Sequence, residues 1–431
     1  MGSPVGDASR RVVVGLCLCG LFLAAQRAVF ADGVVRDGLG AISSGRGGTN
    51  IAHSDNGVIL LDNPAALVNV KGNGLAELSV DTLWTDLHYS DPQNDDHGIV
   101  NPFALGQMAF IRKSANGRWA FGLGAFAPAG FGAEFDLNGP APIGGRHTYK
   151  SLGALGKILP GFAYRVNDRL SVGGTFGLAV SHAELEGPFF LQAGILRGTP
   201  TVLDLQGTGV APTWSAGLQY QITECTTFGV AFQSENRFQL DGNAAVTVLG
   251  VGHSQYDADI DLVWPRSVGI GLKHDFCRHR IFSLDVIWFD WSHAFDRVDL
   301  KLTNATNPVF TSLLGPAVQN EFPLNWRDSV SVRAGYEHAI SPCAVLRAGY
   351  AYHSNQIPEG YLTPFIPAIL EHAFSVGYGR TICRWNIDLA YQFSFGRDRT
   401  VTTSDLAGGD FDSSHIHAGA HWFFLSLVHR F

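Results

Sequence analysis

The stretch WNIDLAYQFSF, Trp385–Phe395, decides how the rest of this 431-residue chain reads. Trp385, Ile387, Leu389, Tyr391, Phe393 and Phe395 share one parity; Asn386, Asp388, Ala390, Gln392 and Ser394 share the other. Successive side chains of a strand point to opposite faces, so this is a strand with one apolar and one polar face. Residues 170–180 repeat the pattern, with Leu170, Val172, Phe176, Leu178 and Val180 set against Ser171, Gly173, Thr175, Gly177 and Ala179. Phe374, Val376 and Tyr378 alternate with Ser375, Gly377 and Gly379, and Leu346, Ala348, Tyr350 and Tyr352 with Arg347, Gly349 and Ala351.

Composition agrees. Only 16% of residues are charged, 11% are aromatic, 51 are Gly and 2 are Met. No run reaches the ~18 consecutive apolar residues of a membrane-spanning helix. Hydrophobicity dispersed by alternation marks lipid-facing strands, and the expected fold is all-β, a transmembrane antiparallel β-barrel.

Export is written at the N-terminus. Arg10 and Arg11 precede a 14-residue apolar run over 12–25, and Val29-Phe30-Ala31 offers small residues for cleavage, so 1–31 reads as a signal peptide. Its removal takes Arg10, Arg11, Arg27 and Asp7, leaving 27 basic and 37 acidic residues. An acidic mature chain argues against nucleic acid as a partner.

The connections alternate in length. Short turns fall at Asn116-Gly117, Asn167-Asp168, Glu224-Cys225, 275–277, Ser341-Pro342 and Ile382-Cys383. Longer stretches cover 90–103, 136–150, 186–205, 250–257, 303–324, 353–370 and 396–414. Six short and seven long connections join about 14 strands over 74–431, with both ends on the short-turn side. Bacterial outer-membrane barrels place short turns in the periplasm and long loops outside. The final strand alternates Phe423, Leu425, Leu427, His429 and Phe431 to an aromatic terminus, which resembles the signal read by the barrel-assembly machinery. Fourteen strands enclose more space than side chains fill, so Gly-rich 32–73, which lacks alternation, is expected inside the lumen as a hatch.

The hatch reads GLGAISSGRGGTNIAHSDNGVILLDNPAALVNV over 38–70, with Gly45-Arg46-Gly47-Gly48, Ala52 and Asn63-Pro64-Ala65 as its marks. With ILPGFAYRVNDRLSVGG, DLVWPRSVGIGLKHDF, DWSHAF, WRDSVSVRAGYEH and LRAGYAYHSNQIPEGYLTPFIP, it resembles the FadL/TodX family of outer-membrane transporters for long-chain fatty acids and other hydrophobic compounds. The resemblance implies a monomeric fourteen-stranded barrel with an N-terminal hatch. It also implies that ligand passes from an external groove to an internal pocket and leaves sideways, through a gap made by an inward kink in the third strand. Asn63 and Pro64 would then fix the hatch against that kinked wall.

Here the third strand is WAFGLGAFAPAGFGAEF, 119–135. Pro128 cannot donate a ladder hydrogen bond, and Gly130 and Gly132 permit the dihedrals of a bulge. For external capture, Phe189, Phe190, Leu191, Ile195 and Leu196 make an apolar patch in the third long loop. For an acidic head group, Arg333 and Arg347 face the lumen beside Glu337, Asp285 and Asp388. Cys225, Cys277, Cys343 and Cys383 all fall at short turns; adjacency around the rim pairs Cys225 with Cys277 and Cys343 with Cys383 as periplasmic disulfides.

The expected role is uptake of a hydrophobic small molecule by a barrel set in outer-membrane lipid and lipopolysaccharide. A general diffusion porin is the alternative, and an outer-membrane lipase or protease a weaker one. The sequence has no G-x-S-x-G stretch, and His417 and His421 lie ~13 Å apart at ~3.3 Å per residue, too far for one metal. No enzyme, cofactor or metal is expected.

Overall fold

The computed structural model describes residues 34–193, 197–276 and 279–431. Fourteen antiparallel strands form its wall. They are β1 (Gly74–Asp91), β2 (Phe103–Lys113), β3 (Trp119–Asn138), β4 (Arg146–Arg165), β5 (Leu170–Phe190), β6 (Pro200–Thr223), β7 (Thr226–Gln233 continued by Asn236–Val248) and β8 (Gly252–Trp264 continued by Ser267–Phe276). They continue as β9 (Arg280–Phe289), β10 (Ser329–Ser341), β11 (Ala344–His353), β12 (His372–Ile382), β13 (Trp385–Phe395) and β14 (Ser414–Arg430). β1 pairs with β14 from Leu75↔Arg430 to Ser90↔His415, so the barrel has no open edge there. The main-chain oxygen of Phe431 accepts from the amides of Asn73 and Gly74, which locks the last residue onto the first strand.

The alternation read from sequence is an inside-out one. On β13, Trp385 and Leu389 are 51% and 53% exposed, whereas Asp388 and Ser394 are buried toward the lumen. Phe121, Phe162, Phe176, Val210, Trp214, Ile270 and Val376 continue this outer apolar band around the wall. Exposed aromatic and aliphatic residues at such density are stable only against lipid.

Two connections are shorter than expected. The β5–β6 ladder runs up to Phe190↔Pro200, and β7 meets β8 at Val248↔Gly252. The sheet therefore continues well above the apolar band. There the faces are inverted: Asp204, Gln206, Asp241 and Asp257 point out, and Leu203, Leu205, Leu240 and Ile260 point in. A strand bathed outside by water and lined inside by an apolar chamber needs that reversal. The 303–324 connection likewise carries structure, a hairpin of Arg297–Thr303 with Ala317–Pro323 around the short helix Pro308–Leu314.

Residues 34–73 fill the lumen with two short helices, α1 (Gly40–Ser44) and α2 (Ile59–Asp62), and a 3-10 turn (Pro64–Asn69). Ile42, Ile59, Leu60, Leu67 and Val68 pack against Ile111, Phe126 and Leu159 of the wall. The expected signal peptide, 1–31, lies outside the described residues.

Candidate functional site

Charge fixes the hatch to the wall. Arg46 is fully buried; its guanidinium donates to Asp55 at 2.7 Å, Asn50 Oδ1 at 2.7 Å, the Thr49 carbonyl at 2.8 Å and Glu337 of β10 at 3.0 Å. Glu337 also accepts from Arg347 at 2.9 Å, and Arg347 donates to Asp388 at 2.7 Å. Asp285 on β9 accepts from the amides of Asn50 and Ile51 at 2.7 and 3.0 Å. Burial would raise Asp55, but the Arg46 guanidinium holds it well below the usual carboxylate range. Burial, reinforced by Arg46, pushes His53 well below the usual imidazole value, so it stays neutral. His53, Asp55 and Glu337 have the donor types of a metal site, but Arg46 already occupies both carboxylates.

Lumen-facing glycines make room for this segment. Gly217 on β6 lies against Asn63, where a Cβ would come within 2.0 Å of the Asn63 Oδ1. Gly349 on β11 meets Gly47, where a Cβ would come within 1.9 Å of the Gly47 amide nitrogen. Asn63 Nδ2 donates to the carbonyls of Ile51 and Leu218, and its Oδ1 accepts from Ala65 N. Pro64 and Ala65 lie against Gly173 of β5. Asn63, Pro64 and Ala65 therefore seat on β5 and β6.

The third strand is bulged. β3 pairs with β4 in one register to Phe126↔Lys157 and resumes at Ala129↔Leu155, so an extra residue is inserted at Ala127-Pro128. The faces swap across it: Ala120, Gly124 and Phe126 point in before the bulge, and Ala129, Phe131, Ala133 and Phe135 after it. On its other side β3 pairs with β2 from Met108↔Ala125 to Lys113↔Ala120, and among the described residues that ladder goes no further. The start of the hatch takes the vacated edge. Val35 bridges Ala129, Arg36 N donates to the Pro128 carbonyl at 3.1 Å, and Gly130 N donates to the Val34 carbonyl at 2.8 Å. Neither Gly130 nor Gly132 has positive φ; at Gly130 the main chain pairs with the hatch.

Above the hatch lie two chambers. The outer one, of about 110 Å³, is almost wholly apolar and is lined by Phe131, Leu185, Phe189, Leu262, Phe322 and Phe365 among others. The inner one, of about 70 Å³, lies against the bulge, with Pro128, Ala129, Leu155, Lys157, Trp264 and Arg333 in its wall. Phe131 of the outer chamber and Trp264 of the inner stand 6.2 Å apart, and Phe295 packs on both at 6.3 and 6.1 Å. Trp291 and Trp326 complete this cluster, at 4.9 and 4.7 Å from Phe295. The separate sequence blocks around Trp264, Trp291, Phe295 and Trp326 thus converge on one place.

The expected capture patch is not a surface feature. Phe189 and Phe190 are buried; Phe189 packs on Phe322 at 4.6 Å and lines the outer chamber, and Phe190 lies against Gly408. The β5–β6 ladder carries both rings inward over the lumen, which removes the exposed patch. Leu191 is half-buried, and Ile195 and Leu196 lie outside the described residues. Arg347 is taken by Glu337 and Asp388, and Arg333 by Ser331 and the Asp37 carbonyl, so neither is a spare cation for a ligand. Cys225, Cys343 and Cys383 are exposed free thiols on the short-turn rim, so the Cys343–Cys383 disulfide is corrected; Cys277 lies outside the described residues. Register gives the reason: Cys343 continues the β11–β12 ladder opposite Thr381, which puts Cys383 on a diagonal of ~7–8 Å, beyond the usual disulfide span.

A plugged, lipid-facing barrel with an apolar chamber and a broken third strand agrees with a family model described as "Outer membrane protein transport protein (OMPP1/FadL/TodX)", which matches residues 24–431. The chain belongs to this FadL/TodX family. Solved structures of similar fold include the Pseudomonas putida toluene transporter TodX, at TM-score 0.78 and 20% identity over 92% of this chain and 99% of that one. A Pseudomonas aeruginosa FadL homologue matches at TM-score 0.74 and 17% identity, over 93% and 100% of the two chains. The Ralstonia pickettii toluene transporter TbuX matches at TM-score 0.72 and 20% identity, over 92% and 99%. No curated protein matches the chain. The protein is an outer-membrane transport channel for hydrophobic compounds and not an enzyme.

Proposed function

We propose that this FadL/TodX-type channel takes up hydrophobic small molecules, long-chain fatty acids among them, and releases them sideways into the membrane. The observation that carries the reading is the continuity of three features: the apolar outer chamber, the aromatic cluster beneath it, and the bulge where Val35 stands in for a missing wall strand. An apolar solute gains by leaving water for the outer chamber, at about 25 cal/mol per Å² of apolar surface buried. The charge-locked hatch bars a straight aqueous route, so the bulge beside the inner chamber is the exit that keeps the solute out of water. Asn63, Pro64 and Ala65 hold the hatch during passage, and Pro128 with Gly130 and Gly132 shapes the exit. Residues 1–31 direct export, and the strand ending at Phe431 is handed to the barrel-assembly machinery; the product works as a monomer amid lipid and lipopolysaccharide.

The test compares this reading with the porin alternative. Cells producing the protein should accumulate radiolabelled decanol faster than cells lacking it while sucrose entry stays unchanged, and purified protein in planar bilayers should show no conductance of open-porin size. Porin-sized conductance with sucrose entry would overturn the reading.

A further inference from the structure

The chain carries a formal net charge of -8, yet its short-turn side is basic. In the long loops cations have partners: Arg146 pairs with Asp136 at 3.1 Å, Arg266 with Asp290 at 2.6 Å and Arg399 with Glu371 at 2.7 Å. On the short-turn side Lys71, Arg118, Arg169, Arg280, Arg380 and Arg384 have, among the described residues, neither an ion pair nor a side-chain hydrogen bond. Carboxylates stand on the same turns, at Asp168, Glu224 and Asp275, and none of them reaches these cations. An acidic chain that leaves one rim of unmatched cations presents that rim to an anionic surface.

Arg380 shows which surface. On β12 it shares the outward parity of Val376 and Tyr378, both exposed on the lipid side. Ile387 of β13 and Ala344 of β11 stand directly beside it, and Ile382 below it is exposed too. Trp385, opposite Ile382, is an aromatic of the kind that sits at head-group level. The guanidinium is thus enclosed by lipid-facing apolar surface, where a cation is costly unless an anion meets it. A soluble acidic protein in the periplasm does not reach that depth; a lipid phosphate does. Above Arg380 the outer wall holds an open apolar groove of about 640 Å³, lined by Val80, Val376, Tyr378, Leu389, Phe423 and Leu425 among others. Tyr378 of the groove is two residues from Arg380, ~6–7 Å along the strand, so a chain lying in the groove brings its head group to the guanidinium. We propose that Arg380, with Arg384 in the turn beneath it, holds the phosphodiester head of an anionic phospholipid of the periplasmic leaflet, its acyl chains lying in this groove. The guanidinium fork matches phosphate oxygens, and a zwitterionic lipid would bring its own ammonium to a site that already has two cations. The site lies on the outside of the wall and is independent of the solute's route through the lumen.

The experiment reconstitutes the protein in nanodiscs of equal phosphatidylglycerol and phosphatidylcholine with matched chains, then reads by native mass spectrometry which lipid stays on the released barrel. Wild type should retain phosphatidylglycerol about fivefold or more over phosphatidylcholine. Arg380→Gln with Arg384→Gln should bring that ratio to about one while keeping the heat-modifiable gel mobility of a folded barrel, and Arg380→Lys with Arg384→Lys should keep most of the preference. Arg118→Gln with Arg169→Gln, on other turns, should leave it unchanged. Equal retention of the two lipids by wild type, or an undiminished preference in the double Gln variant, would overturn the site and leave the basic rim to an acidic soluble partner. Loss of the retained lipid to excess inorganic phosphate would also overturn it, by showing a site for a free anion in place of a lipid.

Discussion

The two halves of the lumen are built from opposite materials. Around the hatch, apolar packing of Ile42, Ile59 and Leu60 is joined by directional and steric contacts that fix its position on the wall: Arg46 to Glu337, Asp285 to Asn50 and Ile51, Gly217 to Asn63 and Gly349 to Gly47. Around the outer chamber, contacts are aromatic and aliphatic, Phe189 on Phe322 at 4.6 Å and Tyr149 on Phe365 at 5.5 Å. Directional bonds define a single seat, as a plug that must not drift requires. Apolar walls bind by area and tolerate many shapes, as a chamber that accepts and passes on a solute requires. The contrast teaches that retention and passage are separated along the axis, with the bulge at their boundary.

The sharpest way to break the contrast is to remove the centre of the polar half. Arg46→Leu leaves buried Glu337 and half-buried Asp55 without their shared cation, a loss of about 3 kcal/mol in hatch docking. Hydrogen exchange across 36–70 should rise sharply and ion conductance should appear, with the barrel still folded. Protection equal to wild type would show that packing of Ile42, Ile59 and Leu60, not charge, holds the hatch.

A smaller effect probes the apolar half. Asp410, in the loop that delivers Phe411 to the outer chamber, is pushed up to about 7 by burial and by neighbouring Asp412. The closed loop favours the neutral acid, so its docking is strongest near the ordinary carboxylate value of 3.8, weakens as pH rises toward about 7, and levels off above. Exchange in 406–413, corrected for intrinsic rates, should accelerate roughly tenfold between pH 5 and 8 in wild type and stay flat in Asp410→Asn. A flat wild-type profile would contradict this role for Asp410.

Much of the fold was legible in the sequence because lipid imposes a strict period. Trp385–Phe395 could have no other partner for its apolar face, and the turns at Asn116-Gly117 and Ile382-Cys383 follow from the same strands. The upper wall was less legible. Leu203 and Leu205 alternate with Asp204 and Gln206 just as a lipid-facing strand does, but their apolar side turns inward, and parity alone does not tell inside from outside. Phe189 and Phe190 were misplaced for that reason. Lys157 was not singled out because nothing in one dimension marks a lone lysine on the lumen parity; its place opposite the residue that precedes Pro128 by two is seen only in the ladder. Arg333 and Arg347 satisfied the same parity, and only their partners in space distinguish them from Lys157. The glycine seat of the hatch was present as the small positions Gly173 and Gly377, with nothing in one dimension to say what they admit.

The central claim, that solute leaves between the bulge and the start of the hatch, can be tested at one bridge. Val35 and Ala129 form a non-hydrogen-bonded antiparallel pair, flanked by Arg36 N to Pro128 O and Gly130 N to Val34 O. Their α-carbons are then ~4.5 Å apart, within disulfide range. In a background with Cys225, Cys277, Cys343 and Cys383 replaced by Ser, a Val35→Cys, Ala129→Cys protein should oxidise readily. Uptake of labelled decanoate should fall at least tenfold in the oxidised state and return on reduction. Full uptake through the cross-linked protein would contradict release at this seam.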